Sequence, residues 1–262
     1  MRAMPKTDRL KNLRAALQGH ETAVTAGVAV VALLLIGALI LWLTADRVPD
    51  FREYEAGAER KAQFFEFMRP LIREENARVL EDRRRLRELA AEEEPGWLDR
   101  RWLHGLAEEY RLDPEEFDEE SLIDALLRRV DAVPMSLALA QAAKESGWGT
   151  SRFARKGYNF FGEWCYEAGC GLVPQSRAPG RSHEVRAFDS PRESVANYIR
   201  NINTNLSYRE LREARARLRA QDRPLSGLVL AEQLQRYSER GQAYVEEIKG
   251  LIRYNKLEQS GA

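Results

Sequence analysis

The hydrophobic pattern divides the chain into stretches of different character. Between Glu21 and Asp46 there is no charged residue, and Val24 to Leu43 is almost continuously apolar. Such a run matches the ~20 residues an α-helix needs to cross a bilayer. It is longer than the roughly 7–15-residue apolar core of a cleaved signal peptide. Ahead of it Arg2, Lys6, Arg9, Lys11 and Arg14 outnumber Asp8 and Glu21, an imbalance that favours a cytoplasmic N-terminus. The pattern therefore predicts a basic cytoplasmic tail over 1–21 and a single-pass transmembrane signal anchor over 22–45, with the rest of the chain exported.

From Phe51 to Glu94 the period becomes helical: Phe64, Met68, Leu71, Ile72, Val79, Leu86 and Leu89 share one face, with Arg and Glu on the others. This predicts one long helix, or two, broken or kinked near Pro70. It reads as a stalk that also packs on the domain and continues into supporting helices, so that 46–120 precedes a catalytic domain over 121–262. Trp97, Leu98, Trp102, Leu103, Leu106 and Tyr110 predict a shorter helix. Ser121 to Val130 predicts another, with Ser121 as a cap. Pro134 opens a strongly apolar helix that reaches Glu145. From Tyr158 to Phe188, glycines, prolines and aromatics alternate with short extended runs at Phe160–Trp164 and Val185–Phe188, predicting a small lobe of loops and strands. Helix returns at Ser190, where Ser190-Pro191-Arg192-Glu193 has the form of a capping box. Two more helices are expected near 207–221 and 228–254. The fold class is mainly α, with a small loop/β lobe.

Charge and composition narrow the chemistry. Lys plus Arg and Asp plus Glu are 41 each, so no basic excess argues for nucleic acid. There is no GxSxG and no GxxxxGK[ST], so Ser/His/Asp hydrolysis and phosphate-loop chemistry find no support, and no cofactor is implied. The two cysteines, Cys165 and Cys170, lie on the exported side across a short YEAG loop, which favours a disulfide. Two sulfurs alone would make half a zinc site, and His20, His104 and His183 show no ligand spacing, so no metal is expected. The sequence is silent on protein partners.

Glu145 is the carboxylate on which the chemistry turns. It ends the apolar helix, and Ser146-Gly147-Trp148-Gly149 stops the helix and lays an indole beside it. A carboxyl group there is poorly solvated when charged, so its pKa rises, as a general acid near neutral pH requires. Many reactions use such an acid; where the reaction is glycoside cleavage, a second carboxylate is usual, ~5–5.5 Å away for retention or ~6.5–9.5 Å for inversion. Glu184, ahead of an expected strand, is the first candidate and Glu163 the second, with Glu167 also in the lobe; each could be an ordinary surface acid. In substrate-assisted glycosidases an N-acetyl group of the substrate takes the place of that carboxylate. Trp148 and Trp164 offer flat faces for sugar rings, although Trp148 could equally pack against the helix and tune Glu145.

The stretch AQAAKESGWGTSRFA, the NFFG that follows (Asn159 to Gly162), FDSPRESVANY (Phe188 to Tyr198), WCYEAGCGLVP (Trp164 to Pro174), SVANYIRNINTN and YSERGQAYVEEI together resemble the bacterial glucosaminidases that cut peptidoglycan, in particular their Bax-type branch. The resemblance spans about Arg60 to Leu257. It implies a lysozyme-like (muramidase-like) helical fold with a cleft beside the small lobe, and Glu145 as the catalytic acid. It also implies that Tyr198 steadies the oxocarbenium ion or orients the N-acetyl group, and that Asn159 and Phe161 shape the cleft floor, with Glu163 and Trp164 close to the sugar. Where some family members carry an Asp before the cleft tyrosine, this chain has Asn197. The implied enzyme is an endo-β-N-acetylglucosaminidase acting on peptidoglycan glycan strands from the bacterial inner membrane. A lytic transglycosylase with the same Glu and a non-catalytic wall-binding or scaffolding protein are the alternatives.

Overall fold

The computed structural model describes residues 30–37, 48–92, 94–175, 177, 180, 182–235 and 240–260. Residues 1–47 and 48–262 are two separate units. In the first, residues 30–37 are helical. The rest of the expected anchor over 22–45, and the whole basic tail, lie outside the described residues. Among the described residues no helix is long and apolar enough to cross a membrane.

The described helices of the second unit are α1 (Ala58–Leu89), α2 (Trp97–Glu109), α3 (Glu119–Arg129), α4 (Met135–Ser146), α5 (Arg152–Gly157), α6 (Pro191–Thr204), α7 (Arg209–Ala220), α8 (Gly227–Ala231) and α9 (Gln242–Tyr254). A small antiparallel sheet joins β1 (Trp164–Cys165), β2 (Gly171–Leu172) and β3 (Glu184–Arg186) in the order β1-β3-β2. The mainly helical architecture with a small β lobe is the expected one.

Helix α4 is the centre of the body. Leu137, Ala138, Leu139, Ala140, Ala142 and Ala143 are all buried, so the helix is apolar around its circumference, as a core helix must be. Its short side chains let neighbours approach closely. A Cβ added to Gly227 of α8 would stand 2.8 Å from the backbone nitrogen of Leu137. Helices α1, α8 and α9 pack around it.

Helix α1 runs unbroken through Pro70. An interior proline costs an α-helix ~3 kcal/mol, and burial of Phe64, Phe65, Met68, Leu71 and Ile72 on either side offsets it. The apolar seam of α1 lies against α3, α4 and α6, so 48–120 shares the core of 121–262 and no domain boundary falls at 120. The cap of α3 also differs: Asp118, whose carboxylate accepts the backbone N–H of Ser121 at 2.8 Å, caps the helix, and Ser121 stands inside it. The last expected helix is divided into α8 and α9. The Ser190 cap forms as expected, accepting from the Glu193 N–H at 3.1 Å.

A buried ionic cluster ties α3, α4 and α7 together. Asp131, in the connection into α4, is 2% exposed. Arg219 donates to both its oxygens, at 3.1 and 2.7 Å, and Arg215 and Arg83 stand 3.8 and 3.7 Å away. Arg215 also donates to the carbonyls of Arg128, Arg129, Asp131 and Ala132, which closes the C-terminal end of α3.

Candidate active site

Glu145 lies in the last turn of α4, where the partial negative charge of the helix terminus disfavours a second negative charge. The turn beyond it is left-handed over three residues, with φ of 57° at Gly147, 59° at Trp148 and 75° at Gly149. Ser146 fixes it by donating to the Ala142 carbonyl at 2.6 Å and accepting the Gly149 N–H at 2.8 Å. The turn carries Trp148 back onto α1, where its ring meets Phe64 and Phe65 edge-on at 5.9 and 5.3 Å. Of its two expected roles the geometry supports packing, with Lys61 over the ring at 5.1 Å.

Gly149 has no room for a side chain: an added Cβ would sit 2.2 Å from the Phe51 ring. Gly149→Ala, overpacked and at positive φ, is expected to lose about 1–3 kcal/mol of stability. Urea unfolding beside the wild type measures the loss, and an unchanged midpoint contradicts the contact.

The carboxyl group of Glu145 is half-buried, and burial raises its pKa. A hydrogen bond from Tyr244 and the charge of Lys144 oppose the shift, while Glu247 adds to it. Behind the acid runs a line of hydrogen bonds. Tyr198 donates to Gln141 Oε1 at 2.7 Å, Gln141 Nε2 donates to the Tyr244 hydroxyl at 3.1 Å, and Tyr244 bonds Glu145. Tyr198 is 1% exposed and stacked on Phe161 with ring centroids 3.9 Å apart. Its hydroxyl is thus directed to Gln141. Phe161, also 1% exposed, is packed rather than lining an open floor. Gln141 and Tyr244 were not anticipated. Gln141 was recognisable as the one amide in an apolar run, four residues before Glu145 and so on its face.

The NFFG turn carries the lobe to the acid. Gly162, at φ 68°, packs on Glu145, and a Cβ there would lie 3.3 Å from its Oε2. Asn159 is buried and spent on the backbone. Its amide nitrogen donates to the Glu163 and Arg186 carbonyls at 2.9 and 2.8 Å, and its oxygen accepts the Glu163 N–H at 3.0 Å. It therefore locks the turn to β3. Asn197 on α6 donates to Glu163 Oε2, whereas Glu163 Oε1 is buried with no hydrogen-bond partner. Burial pushes the Glu163 carboxyl up to about 7 against the opposing effects of Asn197 and Arg186.

Glu184, the first candidate for a second carboxylate, is 7% exposed and fully employed. Its two oxygens accept the N–H groups of Gly169 and Gly171 at 3.2 and 2.8 Å, which holds the Cys165–Cys170 disulfide loop onto β3. Trp164 is 54% exposed on β1, with one face stacked on His183 at 4.3 Å, and is available to a ring ligand. Among the described residues no group of three or more His, Cys, Asp or Glu could hold a metal ion.

Residues 121–257 match the glucosaminidase family, described as mannosyl-glycoprotein endo-beta-N-acetylglucosaminidase. The class is therefore that of the glycoside hydrolases, for which a poorly solvated carboxylic acid at a helix end is apt chemistry. The chain belongs to the glucosaminidase family, in its Bax-type branch. It is 33% identical over 202 residues to Protein bax of Escherichia coli (strain K12), covering 76% of this chain and 71% of that one. Among solved structures, the catalytic domain of the autolysin Auto from Listeria monocytogenes aligns with 68% of this chain and 96% of its own, at 17% identity and a TM-score of 0.35.

Proposed function

We propose that this protein is a membrane-anchored peptidoglycan hydrolase that cleaves the β-1,4 bond on the reducing side of N-acetylglucosamine, with Glu145 as the general acid. The observation that carries this reading is the Glu145 carboxyl itself. It is half-buried, its pKa is raised by burial, and it is held from behind by Tyr244 against the NFFG turn. A protonated Glu145 gives its proton to the glycosidic oxygen as the bond to the anomeric carbon breaks, and water completes the hydrolysis. Tyr198 and Gln141 act through Tyr244, fixing the orientation of the acid. Trp164 provides the sugar platform, and the helical body with its small lobe is read as lysozyme-like. The uncharged run over 22–45 and the basic residues before it support a single-pass anchor in the bacterial inner membrane, with the N-terminus cytoplasmic and 46–262 outside.

The test is digestion of purified peptidoglycan by the detergent-solubilised full chain, with products reduced by borohydride and read by mass spectrometry. Reduced N-acetylglucosamine ends are expected. Anhydro-muramyl ends would make the protein a lytic transglycosylase. Wall binding without products would make it a scaffold.

A further inference from the structure

The chemistry proposed above leaves open which group handles the proton of the incoming water. We propose that Glu163 is that group, a second catalytic carboxylate that acts as base beside Glu145, and that Asn197 is its positioning residue. The proposal rests on the reading of Glu145 as acid.

Three observations carry it. The first is place. Glu163 directly follows Gly162, the residue packed on the Glu145 carboxylate, so the two acids flank one turn. Both also act on the buried phenols of Tyr198 and Tyr208, which burial and the nearby carboxylates together hold above the ordinary range. The second is rigidity. The backbone of Glu163 is clamped on both sides by Asn159, and its carbonyl also accepts the Arg186 N–H at 2.9 Å. A carboxylate on so fixed a backbone is preorganised, as a catalytic group must be.

The third is an oxygen without a protein partner. Asn197 holds Oε2, while Oε1 is buried and accepts nothing. Leaving a buried acceptor unmet costs about 1–3 kcal/mol, and more when the group is charged, so a structural carboxylate is built the way Glu184 is, with both oxygens bonded. Glu163 instead has one oxygen held by Asn197 and one buried without a protein partner.

In the step this assigns, Glu145 transfers its proton to the glycosidic oxygen. The bond between that oxygen and the anomeric carbon breaks, with its electron pair going to the oxygen. A water oxygen bonds to the anomeric carbon and releases its proton to Glu163 Oε1. Glu145 ends ionised and Glu163 neutral, and proton exchange with solvent restores both. The groups that set the titration of Glu163 are Asn197 on α6 and Arg186 on β3, both of which oppose the effect of burial, while the phenols of Tyr198 and Tyr208 feel its charge in turn. Burial places the titration near 7, so the enzyme should lose kcat/KM as the pH falls below that value.

The experiment compares the full chain with Glu163→Gln and Asn197→Ala on purified peptidoglycan across a pH series, with wall binding measured alongside. Glu163→Gln is expected to bind the wall and to lose about 10²–10⁴-fold in kcat. In Asn197→Ala the acid limb is expected to move to higher pH, because the lost hydrogen bond had favoured the ionised carboxylate. A merely structural asparagine would lower activity without moving the limb. Glu163→Gln active within about threefold of wild type, while Glu145→Gln is inactive, would overturn this assignment and leave the acid in place. If Glu163→Gln does not fold, an unmoved limb in Asn197→Ala overturns it instead. A wild-type chain that cleaves nothing would defeat the underlying reading as well.

Discussion

Glu145→Gln should leave a folded protein that binds the wall and scarcely cuts it. Removal of a positioned general acid typically lowers the rate by about 10²–10⁴-fold, and an amide has no proton acidic enough to replace it. The substitution is close to isosteric. The Gln oxygen can still accept from Tyr244, and the Lys144–Glu247 ion pair beside it is untouched. Stability should move the other way. A carboxyl group whose folded pKa is raised binds more protons in the folded state than in the unfolded one. Stability is then lost as the pH rises from the unfolded value through the folded one. The neutral amide removes that loss, so Glu145→Gln should unfold at higher urea than wild type at pH 8, and at a similar concentration at pH 4. Activity lost together with a lower midpoint would instead indicate damage to the fold.

Asp131→Asn should be the most damaging conservative change in the body of the protein. It removes the carboxylate that three arginines share, of which Arg215 is 1% exposed. Breaking a buried pair by removing one partner costs about 3–5 kcal/mol, because a charge is left without its counterion. That is a large part of the ~5–15 kcal/mol that holds a typical domain together. Burial raises the Asp131 pKa, but the hydrogen bond from Arg219 and the charges of Arg215, Arg83 and Arg219 outweigh it, and the net shift is downward. The stabilisation is therefore present above the ordinary Asp range and lost as the pH falls through the lowered value. Urea unfolding at pH 7 and pH 3 separates the two states. The wild type should lose more of its stability between them than the variant, and equal losses would show that the cluster contributes nothing. Because Asp131 lies before the start of α4 and Glu145 near its end, activity of the folded fraction should persist.

What the sequence disclosed, and what it hid, follows from how local each feature is. Glu145 was legible because the apolar run, the helix stop and the acid all fall within a few positions. The helical body was legible from its periods, and the disulfide from compartment and spacing. The surroundings of Glu163 and Glu184 were not, because they depend on strand pairing: only the order β1-β3-β2 sets Glu184 against the glycine amides of the cysteine loop. Trp148 was ambiguous because its direction depends on three consecutive positive φ values. Asp131 reads in sequence as an ordinary acid in a turn, since its partners Arg83, Arg215 and Arg219 are distant in the chain and lie among many other arginines. Tyr198 was placed on the correct helix, but its hydroxyl could face either Gln141 or solvent until the packing of Phe161 was known.

Phe51 gives the molecule a mechanical property. It is fully buried three residues after the described chain resumes at Val48, with its ring against Gly149 and against Phe64 and Phe67. Among the described residues of 48–262 it is the first that is buried, so tension applied at the N-terminal end of that unit meets an anchor there. The load then passes directly to the turn that ends the Glu145 helix, so traction on the leading segment and the aim of the acid share one bearing.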